Sequence, residues 1–180
     1  DVGQIQLLQA DITDEASVAK AVAGASDVVN LVGILTEGWG RHFDAIHAEG
    51  AAIAAKAARV AGARHFIQMS SIGADAESPA HYARSKAEGE AAVRDAFPGA
   101  TILRPSIVFG PEDNFFNRFA SMARFLPLLP LIGGGQTKFQ PVFAGDVAAA
   151  VHAALTNDNA AGRTFELGGP AVYTFRELLE

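Results

Sequence analysis

The stretch "HFIQMSS", residues 65–71, and its counterpart "ATILRPS", residues 100–106, decide how this chain folds. Each is a short aliphatic run that ends in serine, and an Ala-rich helical pattern over Ala80 to Phe97 separates them. The alternation extends in both directions. Further candidate strands are "IQLLQAD" (5–11), "DVVNLVG" (27–33) and "RTFELGG" (163–169), and further candidate helices cover Asp14 to Gly24, Phe43 to Gly62, Asn114 to Arg124 and Asp146 to Thr156. Apolar strands separated by helices describe a parallel sheet covered on both faces. The expected fold class is α/β, a Rossmann-like doubly wound sheet. Gly24 and Gly62 stand where glycines end helices, and Thr174 with Glu177 forms a capping box at the start of another.

Composition limits the function classes. The chain has 180 residues, 49% of them hydrophobic, with a formal net charge of −6 and no Lys/Arg run, which argues against a nucleic-acid partner. No cysteine is present, so thiol nucleophiles and thiolate metal sites are excluded, and the five histidines show no metal-ligand spacing. No segment is apolar for long enough to span a bilayer. The greasiest, "RFLPLLPLIGGG" (124–135), is interrupted by Pro127 and Pro130 and reads as an irregular loop or a flap. A dinucleotide fold of this class opens with a strand and a Gly-rich turn, and neither precedes Ile5. The glycines of "TEGWGR" and "IGGGQT" read as plain loops. The chain is therefore expected to be the middle of a longer one, with residues 1–110 the remainder of a dinucleotide-binding domain. Residues 111–180 are expected to mix substrate-side or partner segments with returning elements of the sheet.

In such sheets a ligand lies beyond the carboxyl ends of the strands. Polar residues gather there: Asp11, Ser70 and Ser71, and Arg104 to Ser106, with Gly33 at the end of another strand. "HYARSKAEGE" (81–90) then places Tyr82 and Lys86 four residues apart on one helix face. An ammonium one turn away makes a phenol a usable proton carrier, and a serine from a strand end could orient a substrate oxygen. The plainer alternative is that Tyr82 packs its ring and Lys86 is solvated.

The order "DITD", "DVVNLVG", "FIQMSS", "YARSK", "LRPSIVFGPED", "QPVFAGDVA" and "ELGGP" resembles the extended and atypical short-chain dehydrogenase/reductase family over essentially the whole chain. Within it, "GEAAVRDAFPGATILRPSIVFGPEDNFFNRFA" (89–120) is similar to the dehydrogenase-like accessory subunits of respiratory complex I and their proteobacterial relatives. The resemblance implies that Ser71, Tyr82 and Lys86 are the catalytic serine, tyrosine and lysine, with Lys86 also on the nicotinamide ribose. It implies that Asp11 and Ile12 border the adenine and that Leu31, Val32 and Gly33 run beside the dinucleotide. Met69 and Ser70 join the cofactor set, and the backbone of Pro105, Ser106 and Ile107 faces the carboxamide. Asp146 would cap the helix after "QPVF". Val32 stands where many active members carry alanine, and His47 where extended members often carry asparagine.

The implied cofactor is NADP(H) ahead of NAD(H), with no metal. Two functions fit. One is a dinucleotide-holding structural or assembly subunit of NADH:ubiquinone oxidoreductase. That places it in the cytoplasm at the inner face of a bacterial inner membrane, or on the matrix side of the mitochondrial one, peripheral to a membrane complex. The other is a free reductase, epimerase or dehydratase acting on a sugar nucleotide or small carbonyl compound. Arg94, Asp113 and Asn114 are expected to orient loops near the cofactor mouth or a partner.

Overall fold

A computed structural model describes residues 4–113, 115–124 and 131–179. Four parallel strands form the main sheet in the order β1 (Asp27–Asn30), β2 (His65–Met69), β3 (Thr101–Pro105) and β7 (Thr164–Leu167). Two short strand pairs complete the inventory: β4 (Val108–Phe109) beside β6 (Val142–Phe143), and β5 (Lys138–Phe139) beside β8 (Tyr173–Thr174). The helices are α1 (Glu15–Val22), α2 (Gly50–Val60), α3 (His81–Ala96), α4 (Phe116–Ala123), α5 (Ala144–Thr156) and α6 (Phe175–Leu179).

The sheet is covered on both faces, which is why its strands read as near-continuous apolar runs. Successive residues of β2 point to opposite sides: Phe66 joins Val18 of α1, Ala51, Ala54, Ala55 and Ala58 of α2 and Val93 of α3, whereas Ile67 joins Leu103 and Ala154 of α5. Phe66, Ile67, Ile102 and Leu103 are fully buried, each contributing roughly 1.5–3 kcal/mol of transfer free energy. The small side chains of α2 let its neighbours approach closely. The three helix ends marked by glycine or threonine form as the local chemistry dictates. Gly24 and Gly62 adopt φ of 74° and 78°, and Thr174 and Glu177 exchange hydrogen bonds between Thr174 N–H and Glu177 Oε2 (2.7 Å) and between Glu177 N–H and Thr174 Oγ1 (3.2 Å).

Several expectations need correction or placement. Residues 5–11 form no strand, and Ile5, Leu7 and Leu8 are exposed. A strand exists through its ladder, and among the described residues none lies beside this segment. Asp146 does not cap α5. The helix begins at Ala144 after an extended Phe143, so Asp146 sits inside the first turn, where its charge favours the helix dipole. Asp113 supplies a cap instead: its Oδ1 accepts from the N–H of Phe116 (2.6 Å) and Asn117 (3.3 Å) at the entrance to α4. Asn114 and residues 125–130 of the greasy segment lie outside the described residues.

Candidate functional site

The carboxyl ends of β1 and β2 and the first half of α3 converge on one place, joined by a six-residue π-helical segment, Asp44–Glu49, that runs into α2. α3 can lie against that segment because Gly89 has no side chain. A Cβ there would collide with the carbonyl of His47.

His47 is buried, and its hydrogen bonds fix its tautomer. The Ile34 N–H donates to Nε2 at 3.1 Å, so Nδ1 must carry the ring hydrogen. Nδ1 donates to Ser85 Oγ at 3.0 Å, and that hydroxyl in turn donates to the Tyr82 carbonyl at 2.9 Å. Burial, reinforced by the nearby Lys86 ammonium, lowers the imidazole pKa from 6.5 to about 4. Phe43 stacks on the His47 ring at a centroid distance of 5.3 Å, and Tyr82 meets both edge-on, at 5.6 Å from Phe43 and 5.4 Å from His47.

Tyr82 and Lys86 do share one face of α3, but Lys86 is not a solvated surface residue. It is 8% exposed. Its Nζ donates to the Met69 carbonyl at 3.5 Å and lies 5.9 Å from the centroid of the Tyr82 ring. Burial pulls the ammonium pKa down, and the charge of Glu90 one turn further along α3 pulls it back up. Gly33 passes over the amine: a Cβ there would stand 3.4 Å from Nζ and 3.6 Å from His47 Nε2.

Ser71 follows β2. Its Oγ is buried and has no hydrogen-bond partner among the described residues, the condition of a group that awaits a ligand. Met69 and Ser70 precede it, and the Ser70 N–H is bonded to the Leu103 carbonyl at 2.7 Å. Leu31 and Val32, at the end of β1, are exposed apolar residues, 64% and 47% accessible. Asp11, Ile12 and Val32 line one groove of about 730 Å³ with Ser17 and Lys20. The Asp11 carboxylate accepts from the N–H and hydroxyl of Thr13, which holds its pKa below the usual range. The segment Pro105–Ser106–Ile107 is tied on three sides: the Pro105 carbonyl accepts from Ile72, the Ser106 N–H donates to Leu167, and the Ile107 carbonyl accepts from Val142.

These features fit a dinucleotide. An orphaned hydroxyl, a buried ammonium with donors to spare, a bare glycine above it and an apolar strand end lie on one side of the sheet. A ligand there would have Ser71 and Lys86 as donors, with Tyr82 able to pass a proton to an adjacent oxygen. Among the described residues no group of three or more His, Cys, Asp or Glu side chains could hold a metal ion.

Spacing in the sequence points to Tyr82 and Lys86 but misses the groups that hold them. Ser85 and His47, Asn30 and Gln68, whose side chains hydrogen-bond at 2.9 Å, and Glu90 with Arg104 are all buried or half-buried polar contacts across the fold. One signal for Glu90 was available: Tyr82, Lys86 and Glu90 repeat at intervals of four along one helix face.

Comparison with known proteins adds to this. Over 182 residues the chain is 43% identical to the mitochondrial NADH dehydrogenase (ubiquinone) 1 alpha subcomplex subunit 9 of Arabidopsis thaliana, covering 100% of this chain and 45% of the relative. The subunit of the same name from Rattus norvegicus is 39% identical over 181 residues, covering 100% of this chain and 48% of the relative. The chain thus spans about half the length of the curated relatives it matches. Among solved structures, an epimerase of Methanothermobacter thermautotrophicus superposes with a TM-score of 0.81 over 97% of this chain and 61% of that one; at 18% identity the likeness concerns the fold. The model of the NAD dependent epimerase/dehydratase family matches residues 1–168, the span that carries the parallel sheet, the orphaned Ser71 and the Tyr82–Lys86 pair, and the chain belongs to that family.

Proposed function

We propose that this chain is the dinucleotide-holding part of an accessory or assembly subunit of NADH:ubiquinone oxidoreductase, with NADPH as a bound structural element. The observation that carries the reading is the 43% identity to the plant complex I subunit across the whole chain. The buried Lys86 beneath Gly33 supports it, because an ammonium held by burial and one carbonyl has hydrogens left for a ribose. In this reading Asp11, Ile12, Leu31, Val32 and Gly33 border the nucleotide, Met69, Ser70 and the Pro105–Ile107 backbone flank the nicotinamide, and residues 1–110 are the remainder of the dinucleotide-binding domain. No helix among the described residues is long and apolar enough to cross a membrane. In this reading the subunit sits on the matrix or cytoplasmic face of its complex.

A second reading, a free reductase, epimerase or dehydratase, is favoured by one observation: the orphaned Ser71 hydroxyl on the same site as Tyr82 and Lys86. Purifying the full-length protein from its host without added cofactor, then identifying the bound nucleotide and the accompanying proteins, separates the two. Bound NADPH together with complex I subunits supports the first. Loosely held nucleotide with no complex I subunit would overturn it.

A further inference from the structure

The side chain of Glu90 is 1% exposed, and its carboxylate joins the carboxyl ends of β2 and β3. Its Oε1 accepts from the Ser70 hydroxyl at 2.6 Å and from Arg104 Nε at 2.8 Å, and its Oε2 accepts from Arg104 Nη2 at 2.8 Å and Arg94 Nη2 at 3.5 Å. Arg104 also pairs with Glu166 of β7 at 3.5 Å, and Arg94 donates to Thr164 at 2.7 Å. The backbone closes the ring of contacts. The Ser70 N–H donates to the Leu103 carbonyl at 2.7 Å, and the Ile72 N–H donates to the Pro105 carbonyl at 3.0 Å. Arg104 lies between those two acceptors, and Ser71 lies between those two donors. Both neighbours of Ser71 are therefore tied to β3, and Ser70 is tied a second time, through Glu90, to the Arg104 side chain. The Ser71 hydroxyl, buried and unpartnered among the described residues, is what this frame holds in place.

We propose that Glu90 is a positioning residue of the dinucleotide site: gripped by Arg104, it holds the Ser70 hydroxyl and thereby aims the hydroxyl of Ser71 at the ligand. A buried ion pair is a poor means of stabilising a fold, since packed apolar side chains of equal volume serve as well or better. What it adds is geometry. The guanidinium meets the carboxylate through two parallel bonds, and the carboxylate meets Ser70 through a short, charge-assisted one. Ser71 has no hydrogen bond of its own to orient its hydroxyl, so its aim depends on the backbone on either side. Ser70 has a single hydroxyl proton, and that proton lies in the bond to Glu90. The Ser70 side chain thus donates nothing to a ligand and acts through its neighbour. The proposal rests on the reading that Ser71 is a donor to the bound nucleotide.

The test measures NADPH affinity of the full-length protein by calorimetry, at a temperature where each variant is folded, so that a bond serving only the fold leaves Kd unchanged. Ser70→Ala deletes the hydroxyl that reaches Glu90, and Arg104→Lys keeps the charge but loses the bidentate grip. Each should weaken NADPH by about threefold to tenfold in otherwise wild-type protein. In Ser71→Ala protein, which lacks the hydroxyl being aimed, the same two changes should have no further effect, as expected of residues that act through one another. Losses that add in full in the double variants, or no loss in either single variant, overturn the proposal; the network is then structural, or Ser70 meets the ligand itself. If one variant fails to fold, the cycle with the other decides. If both fail, a crystal structure of the wild type with NADPH decides: a Ser71 hydroxyl bonded to the nucleotide with the Ser70–Glu90 bond intact supports the proposal, and a Ser70 hydroxyl turned to the nucleotide overturns it. Full additivity leaves the role of Ser71 standing and removes only that of Glu90. A Ser71→Ala protein that binds NADPH as tightly as wild type removes Ser71 from the ligand reading and the proposal with it, and a wild type that binds no NADPH removes the nucleotide reading of the whole site.

Discussion

The Nδ1 of His47 and the hydroxyl of Ser85 lie 3.0 Å apart, and the ring N–H donates along that line because the other ring nitrogen accepts from the Ile34 N–H. With Nε2 accepting from Ile34, a second ring proton would face an N–H donor and the Lys86 ammonium at once.

The first prediction is a pH dependence. His47 has its folded pKa depressed to about 4 from 6.5, so the unfolded chain binds the extra proton first as the solution is acidified. The stability tied to its neutral form is complete above pH 6.5 and is lost as pH falls toward 4, by about 3 kcal/mol at most over that window. Melts of wild type and His47→Gln between pH 4 and 8 should show the steeper acid loss in wild type. Parallel curves would remove the assignment.

His65 should behave in the opposite way. Its Nδ1 lies 2.7 Å from Asp27 and its Nε2 3.2 Å from Asp158, and these carboxylates raise its pKa. The stability it contributes is complete below pH 6.5 and is lost as pH rises through the raised value. Asp27, bonded first to Ser26 and then to His65, is lowered to about 2 and stays charged throughout that range. An NMR titration of the imidazole carbons should find the two histidines on opposite sides of 6.5.

Two glycines separate fold from ligand. Gly89→Ala drives a methyl into the His47 carbonyl, a backbone atom that cannot swing aside, and should cost about 1–3 kcal/mol or more by chemical denaturation. In Gly33→Ala the new methyl stands at ordinary contact distance, 3.4 Å from Lys86 Nζ. That variant should melt within about 0.5 kcal/mol of wild type yet bind NADPH at least about tenfold more weakly, because it covers the amine.

Ser71→Ala distinguishes a structural hydroxyl from one kept for a ligand. Leaving a buried hydroxyl unpaired costs about 1–3 kcal/mol, so its removal should leave the ligand-free protein as stable as wild type or more so. Nucleotide-dependent stabilisation, or turnover if there is any, should fall. A destabilised Ser71→Ala would mean that the hydroxyl has a structural partner.

Tyr82→Phe and Lys86→Ala distinguish enzyme from binding subunit. In an enzyme Tyr82→Phe should lower turnover by about 10² to 10⁴ with nucleotide affinity nearly unchanged, and in a binding subunit it should be silent. Lys86→Ala should loosen the nucleotide in either case and reduce the ligand-dependent gain in Tm. An unchanged gain would return "HYARSKAEGE" to the status of a helix face.

Much of this fold is local. The runs that became β1, β2, β3 and β7 are apolar on both sides because both faces are covered, and Gly24, Gly62 and the Thr174–Glu177 box act within one turn of chain; such features are readable from the sequence. The Tyr82–Lys86 pair is legible for the same reason, since a helix brings i and i+4 together wherever it lies. What only the tertiary structure decided depends on distant partners. Residues 5–11 have strand composition but no ladder, because pairing belongs to two segments and not to one. The sequence leaves Lys86 between a site residue and a solvated cation; β2, Gly33 and the π-helical segment close over it, and burial sets its chemistry. His47 and Glu90 can be buried because Ser85, 38 positions from His47, and Arg104, 14 positions from Glu90, supply hydrogen bonds that only the folded chain brings together.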